Sequence, residues 1–279
     1  MGISVVIPTR DRPASLARSL RALARQDVSG LEIVVVDDGS RDREAVARAT
    51  RSSEGVRLIR LAGVGPASAR NAGARAADGD VVLFTDDDCE PAAAWARALA
   101  HRVEAAGVAA GATIPPPDSG AAAIASQAIT NHLQLAGLTA GGRLAFAPTC
   151  NLGCSRDAVR ALPFDESYPD AAGEDRDWCA RAVAAGLAPA YEPDAIVVHN
   201  QVLGIGALLR QQARYGRGAV RFRRGAGGDR SLGPASFYSG LLRAGFACGP
   251  GVGALVVAAQ AAVGLGAGVE LARGRTSIG

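Results

Sequence analysis

Four short strand-like segments, separated by helical stretches, decide what this chain can fold into. Ser4-Val-Val-Ile-Pro8, Glu32-Ile-Val-Val-Val-Asp37 and Asp80-Val-Val-Leu-Phe84 are apolar on consecutive positions, and Arg57-Leu-Ile-Arg-Leu61 is a fourth segment of the same kind. A strand with one face in water alternates polar and apolar residues, whereas an unbroken apolar run needs cover on both faces. The cover lies between the runs. Asp11 and Pro13 open a helix with Leu16, Leu20 and Leu23 on one side, and Gly30 stops it. A polar helix follows from Arg41 and another spans Ala67 to Ala77. Strands alternating with helices predict a doubly wound, mostly parallel α/β sheet, with ligands beyond the carboxyl ends of the strands.

Three of those ends carry chemistry: Pro8-Thr9-Arg10, Asp37-Asp38-Gly39-Ser40 and Asp86-Asp87-Asp88. In the last, each of three adjacent carboxylates disfavours ionisation of its neighbours. A hard cation such as Mg²⁺ or Mn²⁺ removes that conflict through oxygen ligands. A solvated acidic turn that caps the next helix through Glu90 and Pro91 is the other reading. Asp37-Asp38-Gly39-Ser40 reads as a carboxylate for a base or ribose hydroxyl, or as an Asp–Gly turn with Ser40 as a cap. A receiver-like phosphoacceptor pocket needs a lysine, and all 30 basic residues are Arg. Gly63-Val-Gly65-Pro-Ala-Ser68 departs from the dinucleotide fingerprint, with Pro66 in the turn and Ser68 at the third glycine.

Further along, Trp95 to Ala106 predicts a helix and Val108 to Ala112 a strand, while residues 115–142, Pro-rich and then Ala- and Gly-rich, predict no element. Arg143 to Ser155 restores order, Asp157 starts a short helix, and Pro163-Phe-Asp165-Glu166 is a turn. Glu174-Asp175 begins a helix that ends at Gly186. Acids in a first turn suit the helix dipole, and either one in the crevice would serve as a general base. Asp177 is spaced to pair with Arg181. Ala195 to His199 predicts a strand, and His199 at its end either packs or completes a metal site.

A net charge of +3 excludes nucleic acid as the expected partner. The five cysteines form no paired framework, so Cys150 and Cys154 are expected to pack as small hydrophobes. No signal peptide precedes the strand near Ile3. These features lead to the expectation of a cytoplasmic protein. Arg210 to Arg230 contains seven Arg, and Ala244 to Val269 is a run of about 26 small and apolar residues broken in polarity only by Gln260. A hydrocarbon core needs about 20 residues. Membrane contact is expected there, as a span or a surface helix at the cytoplasmic face; a helix folded onto the domain is the alternative.

In order and spacing, Val5-Val-Ile-Pro-Thr9, Val35-Val-Asp-Asp-Gly-Ser40, Ala69-Arg-Asn-Ala-Gly73, Phe84-Thr-Asp-Asp-Asp88 and Gly173-Glu-Asp175 resemble the family 2 inverting glycosyltransferases of the GT-A fold, over roughly residues 3–225. The resemblance implies a nucleotide-diphosphate sugar donor, a UDP-sugar foremost, an acceptor hydroxyl and Mg²⁺ or Mn²⁺. It implies donor contacts from Pro8, Thr9, Arg10, Asp38, Arg70, Asn71 and Asp87, with Gln211 and Arg214 from a segment similar to the Gln-x-x-Arg-Trp element of processive members. Tyr215 replaces the Trp, so processivity does not follow. Asp86 and Asp88 match the D-x-D metal motif, with His199 as a third ligand, and Asp175 matches the catalytic base. The expected organisation is a domain over 1–225, with a nucleotide-sugar half (1–112) and an acceptor half (113–225), and a C-terminal helical apolar segment over 226–279. A sugar nucleotidyltransferase and a non-catalytic nucleotide-sugar-binding module are the competing readings; the former's Gly-rich N-terminal signature is absent from Ile7-Pro-Thr-Arg-Asp-Arg12.

Overall fold

The computed structural model describes residues 1–51, 53, 55–168, 171–225 and 234–276. Arg230, and with it the end of the arginine-rich segment, lies outside the described residues, as does the side chain of Arg275. The expected boundary at 225/226 falls at the edge of that gap.

Eight strands form one sheet: β1 (Ile3–Thr9), β2 (Glu32–Asp38), β3 (Val56–Leu61), β4 (Val81–Phe84), β5 (Cys89–Pro91), β6 (Val108–Ile114), β7 (Leu152–Ser155) and β8 (Ala190–His199), in the order β3-β2-β1-β4-β7-β6-β8-β5. The four apolar segments make the parallel half, β3-β2-β1-β4. Val5, Val6, Ile7, Val34, Val35 and Val36 are fully buried there, as unbroken apolar runs require. Antiparallel β7 joins β4 to β6, and β6 pairs parallel with β8, so one continuous sheet runs through both expected halves.

Helices α1 (Pro13–Leu23), α2 (Arg43–Arg51), α3 (Pro66–Ala76) and α4 (Trp95–Ala106) follow in chain order. Leu16, Leu20 and Leu23 are the buried side of α1. On α3 the small residues let the helix sit close to the sheet, because a Cβ at Gly73 would overlap Val6.

The structure adds elements that the sequence pattern did not predict. The segment 115–142 contains α5 (Ala121–Leu135), whose alanine face meets the C-terminal helices. β5 is three residues long and pairs antiparallel with β8. β8 itself begins at Ala190 rather than Ala195, interrupted by a register shift opposite Gly111 and Ala112 where Pro193 offers no N–H.

The chain continues through α6 (Arg156–Ala161), α7 (Glu174–Ala184), α8 (Ile205–Gly225), α9 (Ala235–Ala247) and α10 (Pro250–Thr276). The apolar run from Ala244 to Val269 is therefore two helices, broken at Gly249 (φ 118°) and Pro250. α10 lies against α8 at two glycines: a Cβ on Gly216 would overlap the Val263 carbonyl oxygen, and one on Gly266 that of Ala213. Such close approach is what small residues at a helix crossing permit.

Candidate active site

β1 ends in Thr9, whose hydroxyl donates to Asp87 Oδ2 at 2.7 Å in the buried floor beneath the acidic cluster. Burial pushes Asp87 up to about 7, against the opposing charge of Arg12 and the Thr9 hydrogen bond. Arg12, just ahead of α1, reaches Asp88 Oδ2 at 2.7 Å and Asp87 Oδ1 at 3.1 Å. The expected set did not include Arg12, and nothing in its local sequence distinguishes it from other surface arginines.

Asp88 is the hub of the cluster. Burial raises its pKa, but the hydrogen bond and charge of His199, with Arg12, outweigh that and hold it below the usual carboxylate range. His199 Nε2 lies 3.4 Å from Asp88 Oδ1, brought there by the pairing of β5 with β8. Burial lowers the His199 pKa, yet the Asp88 hydrogen bond and neighbouring charges carry it to about 9. Ligand atoms of Asp88, Cys89 and His199 lie within 4.8 Å of one another. Cys89 is fully buried, and burial pushes its thiol well above the usual range, so it is a poor ligand. The donors that remain are carboxylate oxygens and one imidazole that must give up its proton to bind, a set that fits Mg²⁺ or Mn²⁺.

Asp86 faces the same space and accepts from Arg70 Nη2 at 3.2 Å. Arg70 is almost wholly buried and also donates to Glu174 at 3.0 Å, so it bridges the acidic cluster to the start of α7. Among the described residues its Nε has no hydrogen-bond partner. Glu174 is pushed up to about 7, chiefly by burial and then by Asp175. Asp175 is also raised, burial outweighing the pull of Arg176 and Arg70. α7 starts after Gly173 (φ 104°), a conformation that glycine adopts without strain. Asp177 turns away from this group and pairs with Arg181 at 2.8 Å, as its spacing predicts.

These groups share one cavity of about 860 Å³, lined among others by Arg70, Asp86, Asp88, Asp175, His199, Gln211 and Arg214. The remaining expected residues are not on its wall. Asn71 spends its amide on the Phe164 backbone and on Glu166, tying α3 to the 163–166 turn. Asp38 accepts from the backbone of Val64 (2.7 Å) and Gly65 (2.9 Å), so both its oxygens hold the loop ahead of α3. Thr9 and Asp87 are engaged with each other below the cavity floor. Pro8 is half-buried within β1, and Arg10 is exposed beside Gly63.

The far wall combines α5, which the sequence pattern did not predict, with α8 and the C-terminal helices. α5, α8, α9 and α10 contribute Ile129, Leu133, Tyr215, Phe237, Leu241 and Val263. Gln211 accepts from Ser126 at 3.0 Å, and Arg214 stacks over Tyr215, its buried Nε without a hydrogen-bond partner among the described residues.

A model of glycosyl transferase family 2 matches residues 4–162. The chain is 30% identical, over 232 residues, to a pre-mycofactocin glycosyltransferase of Mycobacterium tuberculosis, with 78% of this chain and 47% of that protein covered. It thus spans about half the length of that relative. A mannosyltransferase from Pyrobaculum calidifontis, solved with GDP-Man and Mn²⁺, superposes with a TM-score of 0.59 at 20% identity, covering 98% of this chain and 79% of that one. A glucosyl-3-phosphoglycerate synthase from Mycobacterium tuberculosis, solved with Mn²⁺, UDP and glucosyl-3-phosphoglycerate, gives 0.60 at 20% identity, covering 82% and 81%. At such identity the likeness to these two structures is one of fold.

Proposed function

The chain belongs to glycosyl transferase family 2, and from that premise we propose that it transfers a sugar from a nucleotide-diphosphate sugar to an acceptor hydroxyl with inversion, using Mg²⁺ or Mn²⁺ and Asp175 as general base. One observation carries the reading: Asp86, Asp88, His199 and Asp175, from three separate segments, line the same cavity. The two solved relatives described above hold Mn²⁺ with GDP-Man or UDP, which supports the choice of metal and donor class.

Asp88, Asp86 and His199 would hold the cation, which when bound offsets charge on the departing diphosphate. Arg70 would hold Asp86 in place, and Arg214 would add positive charge beside the leaving group. The acceptor oxygen would form its bond to the anomeric carbon as the bond to the diphosphate oxygen breaks, that electron pair leaving with the nucleotide. Asp175 would take the hydroxyl proton. Its raised pKa makes it a stronger base than an exposed carboxylate. Gln211 and Arg214 would face the donor from α8.

The test is a panel of UDP-, GDP- and dTDP-sugars incubated with the full chain and Mn²⁺, UDP-sugars first. Turnover of one donor, lost in Asp175→Asn, supports the reading. Nucleotide binding without turnover would leave a nucleotide-sugar-binding module instead.

We further propose that α9 and α10 rest on the cytoplasmic face of a membrane. Support comes from Pro250–Arg273, which is long and apolar enough to cross one although a third of it is buried in the protein. Phe246, Val257, Leu265, Val269 and Leu271 are exposed on these two helices. Sedimentation of the full chain with anionic vesicles, in high salt, tests this.

A further inference from the structure

Two arginines in the cavity wall have no task in the reaction just described. Arg176, one residue past the proposed base, lays its guanidinium over the Phe146 ring at 5.7 Å. Arg223, from the last turn of α8, faces the same space. Among the described residues neither guanidinium has a hydrogen bond or an ion pair, and both are half-buried. Burial and the like charge of Arg223 push the Arg176 pKa down, with Asp175 and Tyr238 pulling the other way. Two guanidiniums that line one cavity, partly stripped of water and without a counter-charge, favour an anion there, and such groups suit the planar or tetrahedral oxygens of a carboxylate or phosphate. From this point the wall continues apolar through Phe237, Leu241, Val263 and Ala267 of α9 and α10.

We propose that the acceptor is an anionic amphiphile, its phosphate or carboxylate held by Arg176 and Arg223 and its apolar chain lying along α9 and α10. This rests on the glycosyltransferase reading, because the anion so held leaves a nearby hydroxyl on the acceptor facing Asp175. The site selects the head by charge and the tail by apolar contact, so both parts contribute to affinity.

The experiment uses the full chain with UDP and Mn²⁺ and three probes below their micellar concentrations: n-decyl phosphate, n-decyl β-D-glucoside and glycerol 3-phosphate. Decyl phosphate is expected to bind at least about tenfold tighter than either of the others. Arg223→Gln and Arg176→Gln are each expected to remove the preference for phosphate over glucoside while UDP affinity stays the same. Equal binding of decyl phosphate and decyl glucoside, or a preference that survives both substitutions, overturns the anion site. Equal binding of decyl phosphate and glycerol 3-phosphate overturns the apolar chain. Failure to bind any nucleotide, with the probe ranking intact, counts against the donor reading rather than against this site.

Discussion

Arg70 donates to Glu174, 104 positions later, at 3.0 Å, and this buried contact joins α3 to the helix that carries Asp175. Both partners are nearly sealed from water, so neither has a solvent alternative. Removing one charge leaves the other uncompensated. Arg70→Met is expected to cost about 3–5 kcal/mol in unfolding free energy, measured by denaturant titration.

The same pair sets a pH dependence. Glu174 titrates near 7 in the folded chain, above the ordinary value of 4.5 that applies when the chain unfolds. Between those values the folded state binds the extra proton. Stability therefore falls as pH rises from about 4.5 to 7, by on the order of 1–3 kcal/mol from this group. Glu174→Gln is expected to flatten that slope in a series of thermal melts; an unchanged slope would assign it to Asp87 instead.

Asp175→Asn keeps the size and helix position of the side chain but not its basicity. kcat is expected to fall by about 10² or more with donor affinity nearly constant. Asp177→Asn, which loses only the contact with Arg181, is expected to do far less. Equal losses would point to a disturbed helix.

On the proposed reading, Arg12 and the cation would compete for Asp88. With Arg12 bonded to Asp88 Oδ2, a metal must displace that contact before the oxygen is free. Arg12→Ala is expected to tighten Mn²⁺ binding several-fold by calorimetry, and Asp88→Asn to abolish it. Weaker binding in Arg12→Ala would show that the arginine orients the carboxylate rather than screening it.

Thr9→Val tests whether Thr9 serves the donor or the floor. The substitution removes the 2.7 Å bond to Asp87, leaving a buried carboxyl short of a partner, at about 1–3 kcal/mol. Nucleotide affinity is expected to change little, because Thr9 does not line the cavity.

The parallel half of the sheet was legible because Val34, Val35 and Val36 can be buried together only between two layers. The acids at the strand ends could be read for the same reason, since position in a parallel strand fixes which end faces the crevice. α5 was not legible: its helix is held by alanine contacts with α8, α9 and α10, and those partners lie far along the chain. β5 is too short for any periodicity and exists because β8 pairs with it. Among the residues that line the cavity, Asp86, Asp88, Asp175 and His199 announced themselves by type and place. Asn71 and Asp38 share those types, yet their hydrogen bonds run to backbone and carboxyl groups 93 and 95 residues away for Asn71, and 26 and 27 for Asp38. Local sequence carries no trace of such partners. The arginines Arg12, Arg176 and Arg223 were hidden by abundance, in a chain where every basic residue is arginine.

The antiparallel pairing of β5 with β8 has a consequence for the order in which the molecule is built. Glu90 waits for Asn200, 110 positions later, and Cys89 for His199. Contacts at such separation close late, because loop entropy must be met first. A chain emerging from the ribosome can assemble β3-β2-β1-β4 and seat Thr9 against Asp87 while the opposite edge of the sheet is still missing. Asp88 meets its histidine only when nearly three-quarters of the chain has been made. If the proposed cation site holds, affinity for Mn²⁺ would be acquired only once this pair has closed, and its appearance during refolding would mark the moment when β5 and β8 lock.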